Sequence, residues 1–285
     1  MGSKVIMTTH SPTTIALAPE ESIYWMDRDG IRLQKRGKSD VLRELSEGLI
    51  LVSENTCNVV VEDKDDVKFY NSIRDQLIHL KLIAPTPYLK FSPSSKANAT
   101  GGRDVAIQDA KKVRAFMGKK ALVALVDMDY EAPQETPFFT NRYSIENYLY
   151  DPLIIHCWRV DNGKKTNTKL ATAKLKGRVA DLLSLETRQL QNIIDHYCDQ
   201  IEKFISFDEC VIKNPKTTQK VQISDTITLS YPRWFLYMKG KDIGKAYKDV
   251  YSDHPSFQPL FSLIGNIPSL WPEFIDTFKR IQSSP

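Results

Sequence analysis

The sequence lacks any apolar run near the ~18 residues that a membrane-spanning helix needs, so no transmembrane segment is expected. It opens on no signal peptide, and a cytoplasmic location is the expectation. Cysteine is scarce. Cys57, Cys157, Cys198 and Cys210 are the only four, and no two stand in a CxxC spacing. A disulfide framework and a thiolate zinc site are therefore not expected, and the four read as reduced structural thiols. Histidine is equally sparse, and no Ser-His-Asp or Cys-His arrangement is legible. His156, beside Cys157, and His196, two before Cys198, read as core or surface residues. The GxxxxGK[ST] phosphate loop is missing as well, which excludes tight ATP binding by this chain alone. There are no internal repeats and no low-complexity tracts.

What remains is a globular composition: 285 residues, 41% hydrophobic and 26% charged. That is enough for one large or two ordinary domains, each with a core. The net charge of +4 is mild but unevenly spread. Between Asp161 and Asp181 stand Lys164, Lys165, Lys169, Lys174, Lys176 and Arg178, with no acid among them. The stretch reads either as a solvated basic face or as a track for a phosphate backbone.

Acids gather in two short clusters. NVVVEDKDD places Glu62 at the end of an apolar run, with Asp63, Asp65 and Asp66 behind it; ALVALVDMDY places Asp127 and Asp129 at the end of another. Each apolar run reads as a buried strand, and the acids emerge where it stops. In open α/β sheets, ligands bind beyond the carboxyl ends of the strands. Asp127 and Asp129 are two apart and share a face of an extended chain. Like charges so placed call for a cation, and an all-oxygen donor set suits Mg²⁺ or Mn²⁺.

From Val59 to about Asp151 the pattern is β-α-β-α-β, which predicts a parallel sheet with crossover helices. The first helix turns Val67, Tyr70, Ile73, Leu77 and Leu80 inward. The second turns Val105, Ala110, Val113 and Phe116–Met117 inward. Gly101-Gly102 between them is either a turn or a close backbone approach to a phosphate. Before this block, KVIMTT reads as a strand, HSPTTIALAP as a turn into a short helix, and SIYWMDRDGIRLQK as a hairpin around Asp29-Gly30. SDVLRELSEGLI reads as a helix with Ser39 as its N-cap. After the block come a long amphipathic helix over residues 182–205, a hairpin in KVQISDTITLS, and helical segments interrupted by Pro268 and Pro272.

The strand-Glu, Asp-x-Asp order resembles the Toprim domain, the metal-binding core of certain nucleases, primases and topoisomerases. A third element, NRYSIENYLYDP with Glu146, resembles the Toprim nucleases of the overcoming-lysogenization-defect (OLD) family. It is closer still to Toprim effectors paired with ABC-type ATPases in phage-defence systems such as PARIS. The three motifs cover residues 58 to 151, about a third of the chain. The resemblance implies a Rossmann-like parallel sheet flanked by helices, with a C-terminal helical addition. Glu62, Asp127 and Asp129 would form one metal site, and Asp66 and Glu146 would complete it or serve a second. Lys241 in MKGKD, with Lys239 as the alternative, would approach the metal centre. Toprim proteins usually carry Gly after the strand-ending Glu, where this chain has Asp63. That acid either joins the site or faces solvent.

VIMTTHSPTTI resembles the switch-histidine segment of ABC-type ATPases of the SMC, RecF and OLD group, which gives His10 the role of sensing a nucleotide γ-phosphate. The implied organisation is residues 1–52 as the end of an ATPase domain, 53–155 as a Toprim core and 156–285 as a mostly helical extension. The implied activity is Mg²⁺- or Mn²⁺-dependent endonucleolytic cleavage of DNA or of structured RNA such as tRNA, with two ions. The implied partners are nucleic acid and an ABC-type ATPase in the same or another chain, with a homodimer left open. The competing expectation is a non-catalytic module that binds nucleic acid or docks on an ATPase.

Overall fold

Two short β-branched and aliphatic runs set the architecture. In β3 (Thr56–Val61) Val59, Val60 and Val61 are all buried, and in β5 (Val123–Val126) every residue is. Strands buried on both faces belong to the middle of a parallel sheet. The structure, a computed structural model, describes residues 5–26, 33–45, 55–94, 102–117, 122–129, 138–164, 182, 184–207, 212–252, 255–266 and 271–283. Its main sheet has the order β4-β3-β5-β6, with β4 at Tyr88–Pro93 and β6 at Phe138–Phe139, and every neighbouring pair runs parallel.

Alternation along the strands divides the core. Val59, Val61, Val123 and Leu125 face one side of the sheet, where they join α3 (Lys64–His79) through Phe69, Tyr70, Ile73 and Leu77. Val60, Ala124 and Val126 face the other, where they meet Ala106, Ala110 and Val113 of α4 (Arg103–Met117). The crossover from β3 to β4 thus runs on one face, and that from β4 back past β3 to β5 runs on the other. This puts a topological switch point between β3 and β5, where a crevice opens beyond their carboxyl ends.

The C-terminal third covers the α3 face. Its elements are α7 (Thr187–Glu202), the antiparallel hairpin β7 (Thr218–Gln222) and β8 (Thr228–Pro232), α8 (Arg233–Tyr237), α9 (Gly240–Val250), α10 (Phe257–Ile264) and α11 (Pro272–Ser283). Ring contacts join Tyr70 to Phe91 at 5.4 Å and Tyr148 to Phe274 at 5.0 Å, so one hydrophobic core runs from β3 into α11. Between sheet and cover lie α5 (Glu146–Leu149) and α6 (Pro152–Asp161). The buried Arg142 guanidinium donates to Asp151 Oδ2 at 2.7 Å. Asp151 also caps α6 through the Leu153 N–H and accepts from the Tyr231 hydroxyl. The break at 155/156 drawn from the sequence falls inside α6.

Several local expectations need correction. Residues 5–9 are not a strand: no partner strand lies beside them among the described residues, and Val5, Ile6 and Met7 are exposed. The short helix does form as α1 (Pro12–Leu17), and the hairpin as β1 (Tyr24–Met26) paired with β2 (Leu33–Lys35). Helix α2 (Lys38–Leu45) begins before Ser39, with Gly37 supplying the carbonyl for its first turn, so Ser39 is not the cap. On α4 Ala106 is fully buried and Val105 only partly so, because a small residue lets the helix approach the sheet, while the Phe116 and Met117 side chains lie outside the described residues. The long amphipathic helix starts only at Thr187, where Glu186 and Gln189 close a capping box. Pro272 opens α11 and does not interrupt it, since proline suits a first helical turn. Pro268 is outside the described residues. Among the described residues, no helix is long and apolar enough to cross a membrane.

Candidate active site

Glu62 is the first residue past β3 and Asp127 the first past β5, so adjacent parallel strands deliver both to the switch point. The Asp127 N–H donates to Glu62 Oε1 at 3.0 Å, tying the two strand ends together. Asp63 stands as the N-cap of α3. Its Oδ1 accepts the N–H groups of Asp65 and Asp66, and Asp66 Oδ2 accepts the Asp63 N–H at 2.9 Å. This closed capping box aims Asp66 inward, where it is 5% exposed, while Asp63 itself is exposed. Asp63 is therefore a helix cap.

Asp129 adopts a left-handed backbone with φ +42°, and its N–H donates to the Tyr143 carbonyl at 3.4 Å. Such a conformation is uncommon for a residue other than glycine, though Asp tolerates it. It turns the chain just after β5 and sets the Asp129 carboxylate 3.8 Å from Arg103 Nη1. Arg103 also donates to the Met128 carbonyl at 3.3 Å and lies over the Phe139 ring.

Glu146 arrives from a third segment. Its neighbour Asn147 is fully buried and holds the turn: Oδ1 accepts the Ser144 N–H, and Nδ2 donates to the Phe235 and Met238 carbonyls at 2.8 and 3.0 Å. That bond pair draws Lys239, Gly240 and Lys241 up to Glu146. A Cβ on Gly240 would overlap Glu146 and sit 2.7 Å from Ser144 Oγ, so only glycine fits there.

The result is a pocket of about 310 Å³ lined by Glu62, Asp63, Asp65, Asp66, Asp127, Asp129 and Glu146, with Lys239, Lys241 and Tyr143 on its walls. The acids perturb one another. Burial pushes the Asp127 carboxyl well up, and Asp66, Glu62, Glu146 and Asp129 push it further. Asp66 is raised by burial and by Asp63, Glu62 and Glu146. Glu62 is raised by burial against the opposing Asp127 N–H, with Asp129 adding to the rise and Arg103 reducing it. The Tyr143 hydroxyl is pushed up to about 12 by burial and by Asp129. Carboxylates that disfavour one another's ionisation are stabilised by a divalent cation, and an all-oxygen set suits a hard one. As they stand, no three His, Cys, Asp or Glu groups among the described residues converge closely enough to hold an ion. Glu62 Oε1 and Asp66 Oδ2 each accept a backbone N–H.

No family model matches the chain, and neither a curated protein nor a solved structure matches it.

The pocket brings together Glu62, Asp66, Asp127, Asp129, Glu146 and Lys241, with Lys239 beside them. His10 is not among its lining residues; it is exposed just ahead of α1. Lys164 is exposed past the end of α6, and Lys165, Lys169, Lys174, Lys176 and Arg178 lie outside the described residues. Sequence reasoning missed Arg103, Tyr143 and the roles of Asn147 and Gly240. Arg103 had a signal: it follows Gly102, whose φ of +120° lets its N–H reach the Glu62 carbonyl at 3.3 Å. Gly102 thereby brings the start of α4 to the sheet edge, and Gly101 lies outside the described residues.

Proposed function

We propose that this protein is a divalent-metal-dependent endonuclease of the Toprim type, cleaving phosphodiester bonds in DNA or in structured RNA such as tRNA. The observation that carries the reading is the meeting of carboxylates from three separate segments with Lys239 and Lys241 at the switch point of a parallel sheet. Glu62, Asp127 and Asp129 would hold one Mg²⁺ or Mn²⁺, and Asp66 and Glu146 a second. Such ions supply Lewis-acid stabilisation of charge on the phosphate and lower the pKa of bound water. Lys241 neutralises charge developing on the scissile phosphate. Arg103 and the Asp129 backbone fix one carboxylate in place, and Asn147 holds the lysine-bearing turn against Glu146. Glu62 Oε1 accepts the Asp127 N–H and leaves Oε2 for an ion, and binding would draw these carboxylates closer than they stand, since no three of them converge among the described residues.

The cellular role proposed is phage defence in association with an ABC-type ATPase. The exposed Val5, Ile6 and Met7 favour docking of the N-terminal segment on such a partner, the second reading of the chain. The deciding experiment is incubation with plasmid, single-stranded DNA and bulk tRNA in Mg²⁺, Mn²⁺ or EDTA. Metal-dependent cleavage of at least one supports the enzyme. Binding without cleavage in every condition supports the docking or binding module.

A further inference from the structure

Helix α9 leaves the pocket with an asymmetric surface. Ile243, Gly244, Ala246 and Tyr247 are buried in the core, whereas Lys241, Lys245 and Lys248 are exposed. Positions i, i+4 and i+7 fall on one stripe of a helix, so the three lysines form a row opposite the buried face. Asp242 and Asp249 lie to one side of it. No ion pair joins any of the three lysines to a carboxylate among the described residues. The row begins inside the acidic pocket, because Lys241 lines it beside Glu146. Beyond its far end a ring contact leads to α6. Tyr251, directly after α9, packs under the Arg159 guanidinium at 4.2 Å, and the Arg159 carbonyl accepts the Lys164 N–H at 2.8 Å.

We propose that this stripe is the track along which the phosphodiester backbone of a nucleic-acid substrate leaves the acidic pocket, running from Lys241 past Lys245 and Lys248 towards Lys164. The inference rests on the phosphodiesterase reading of the pocket. From Lys241 to Lys248 the helix rises about 10 Å, which matches about three nucleotides of one duplex strand measured along the duplex axis at ~3.4 Å each. A polyanion entering a pocket lined by carboxylates is repelled there, and three unpaired cations in line with the entrance offset that repulsion. Lys245 and Lys248 touch neither the metal-binding acids nor the reacting phosphate, so their part is to hold the strand.

The test is the double variant Lys245→Glu/Lys248→Glu. Binding of labelled tRNA, single-stranded DNA and duplex DNA is followed by fluorescence anisotropy in EDTA across a salt series, with polyglutamate as competitor. The track predicts a loss of affinity of about 10- to 100-fold near 0.1 M salt that shrinks towards 1 M. It also predicts a salt slope shallower by about 1.4 for single strands or 1.8 for duplex, two phosphate contacts' worth. The stabilisation of the protein by Mn²⁺ should be unchanged, which separates the track from the metal site. Lys245→Gln/Lys248→Gln should show the same trend at smaller size, and serves if the reversal impairs folding. Parent-like affinity and slope with cleavage intact would overturn the track alone. Failure of the parent chain to bind any nucleic acid would overturn it together with the phosphodiesterase reading, as would polyglutamate displacing all three ligands at equal charge concentration.

Discussion

Replacing Glu62 by glutamine removes one negative charge from the pocket while keeping an oxygen for the Asp127 N–H. Asp66→Asn does the same beneath the α3 cap, where Asp66 Oδ2 accepts the Asp63 N–H. Both carboxyls are raised, by burial first and by neighbouring acids second. A group whose folded pKa is raised contributes stability that is present below its unfolded pKa and lost as pH rises through the folded value. Without metal, the parent should therefore lose stability as pH climbs above the ordinary carboxylate range, and each variant should escape part of that loss. Two like charges 4 to 8 Å apart cost about 4 to 2 kcal/mol at an effective dielectric near 20. Solvent at the pocket mouth and relaxation reduce this to about 1–3 kcal/mol per variant, or about 2–6 °C in melting temperature for a chain of this size. Melting followed in EDTA at about pH 8 should show both variants above the parent, with the gap closing towards about pH 5. A divalent cation should reverse the order, since a ligand at 100 times its Kd adds about 2.7 kcal/mol to whichever protein binds it. Variants that melt below the parent in EDTA at the higher pH would refute the argument that these acids repel one another in the folded state.

Gly240→Ala should lower the melting temperature by several degrees, a cost of about 1–3 kcal/mol, because the new Cβ meets Glu146 and Ser144; thermal melts check it. Asn147→Ala removes buried bonds to the Phe235 and Met238 carbonyls and leaves both acceptors unpaired, so a loss of about 2–4 kcal/mol is expected in urea melts. The buried His156 is held down to about 4 from 6.5 by burial, with His196 and Arg159 adding to the effect. A depressed His contributes stability that is full above about pH 6.5 and lost as pH falls towards 4, about 3 kcal/mol over that window. His156→Gln should flatten this part of the acid limb in pH-dependent melts, and an unchanged limb would exclude His156 as its source.

The sheet was legible because its strands are buried on both faces and end in acids, a pattern that requires parallel neighbours and an open carboxyl edge. Glu62, Asp127 and Asp129 follow from that pattern alone. Glu146 and Lys241 depended on motif resemblance, since nothing in local periodicity says that residues 146 and 241 meet. Their meeting is set by Asn147, whose amide crosses to residues 235 and 238. The failures are of one kind. Residues 5–9 have the composition of a strand, but a strand is fixed by its neighbours, and none stands beside them among the described residues. Two-residue β6 has too little sequence to register as a period. Arg103 was hidden because its value lies in what it touches, the Met128 carbonyl and the Asp129 carboxylate, and both come from a strand end 25 residues later.

The most direct test of a metal-dependent phosphodiesterase is cleavage of the best substrate from the nucleic-acid panel in Mn²⁺, by the parent and by Asp127→Ala side by side, before and after EDTA. Asp66, Glu62, Glu146 and Asp129 all act electrostatically on Asp127, and its loss removes a carboxylate from among them. The account predicts products from the parent only, ended by EDTA and restored by excess Mn²⁺, with Asp127→Ala folded but silent. Equal cleavage by the variant, or cleavage that persists in EDTA, would contradict it.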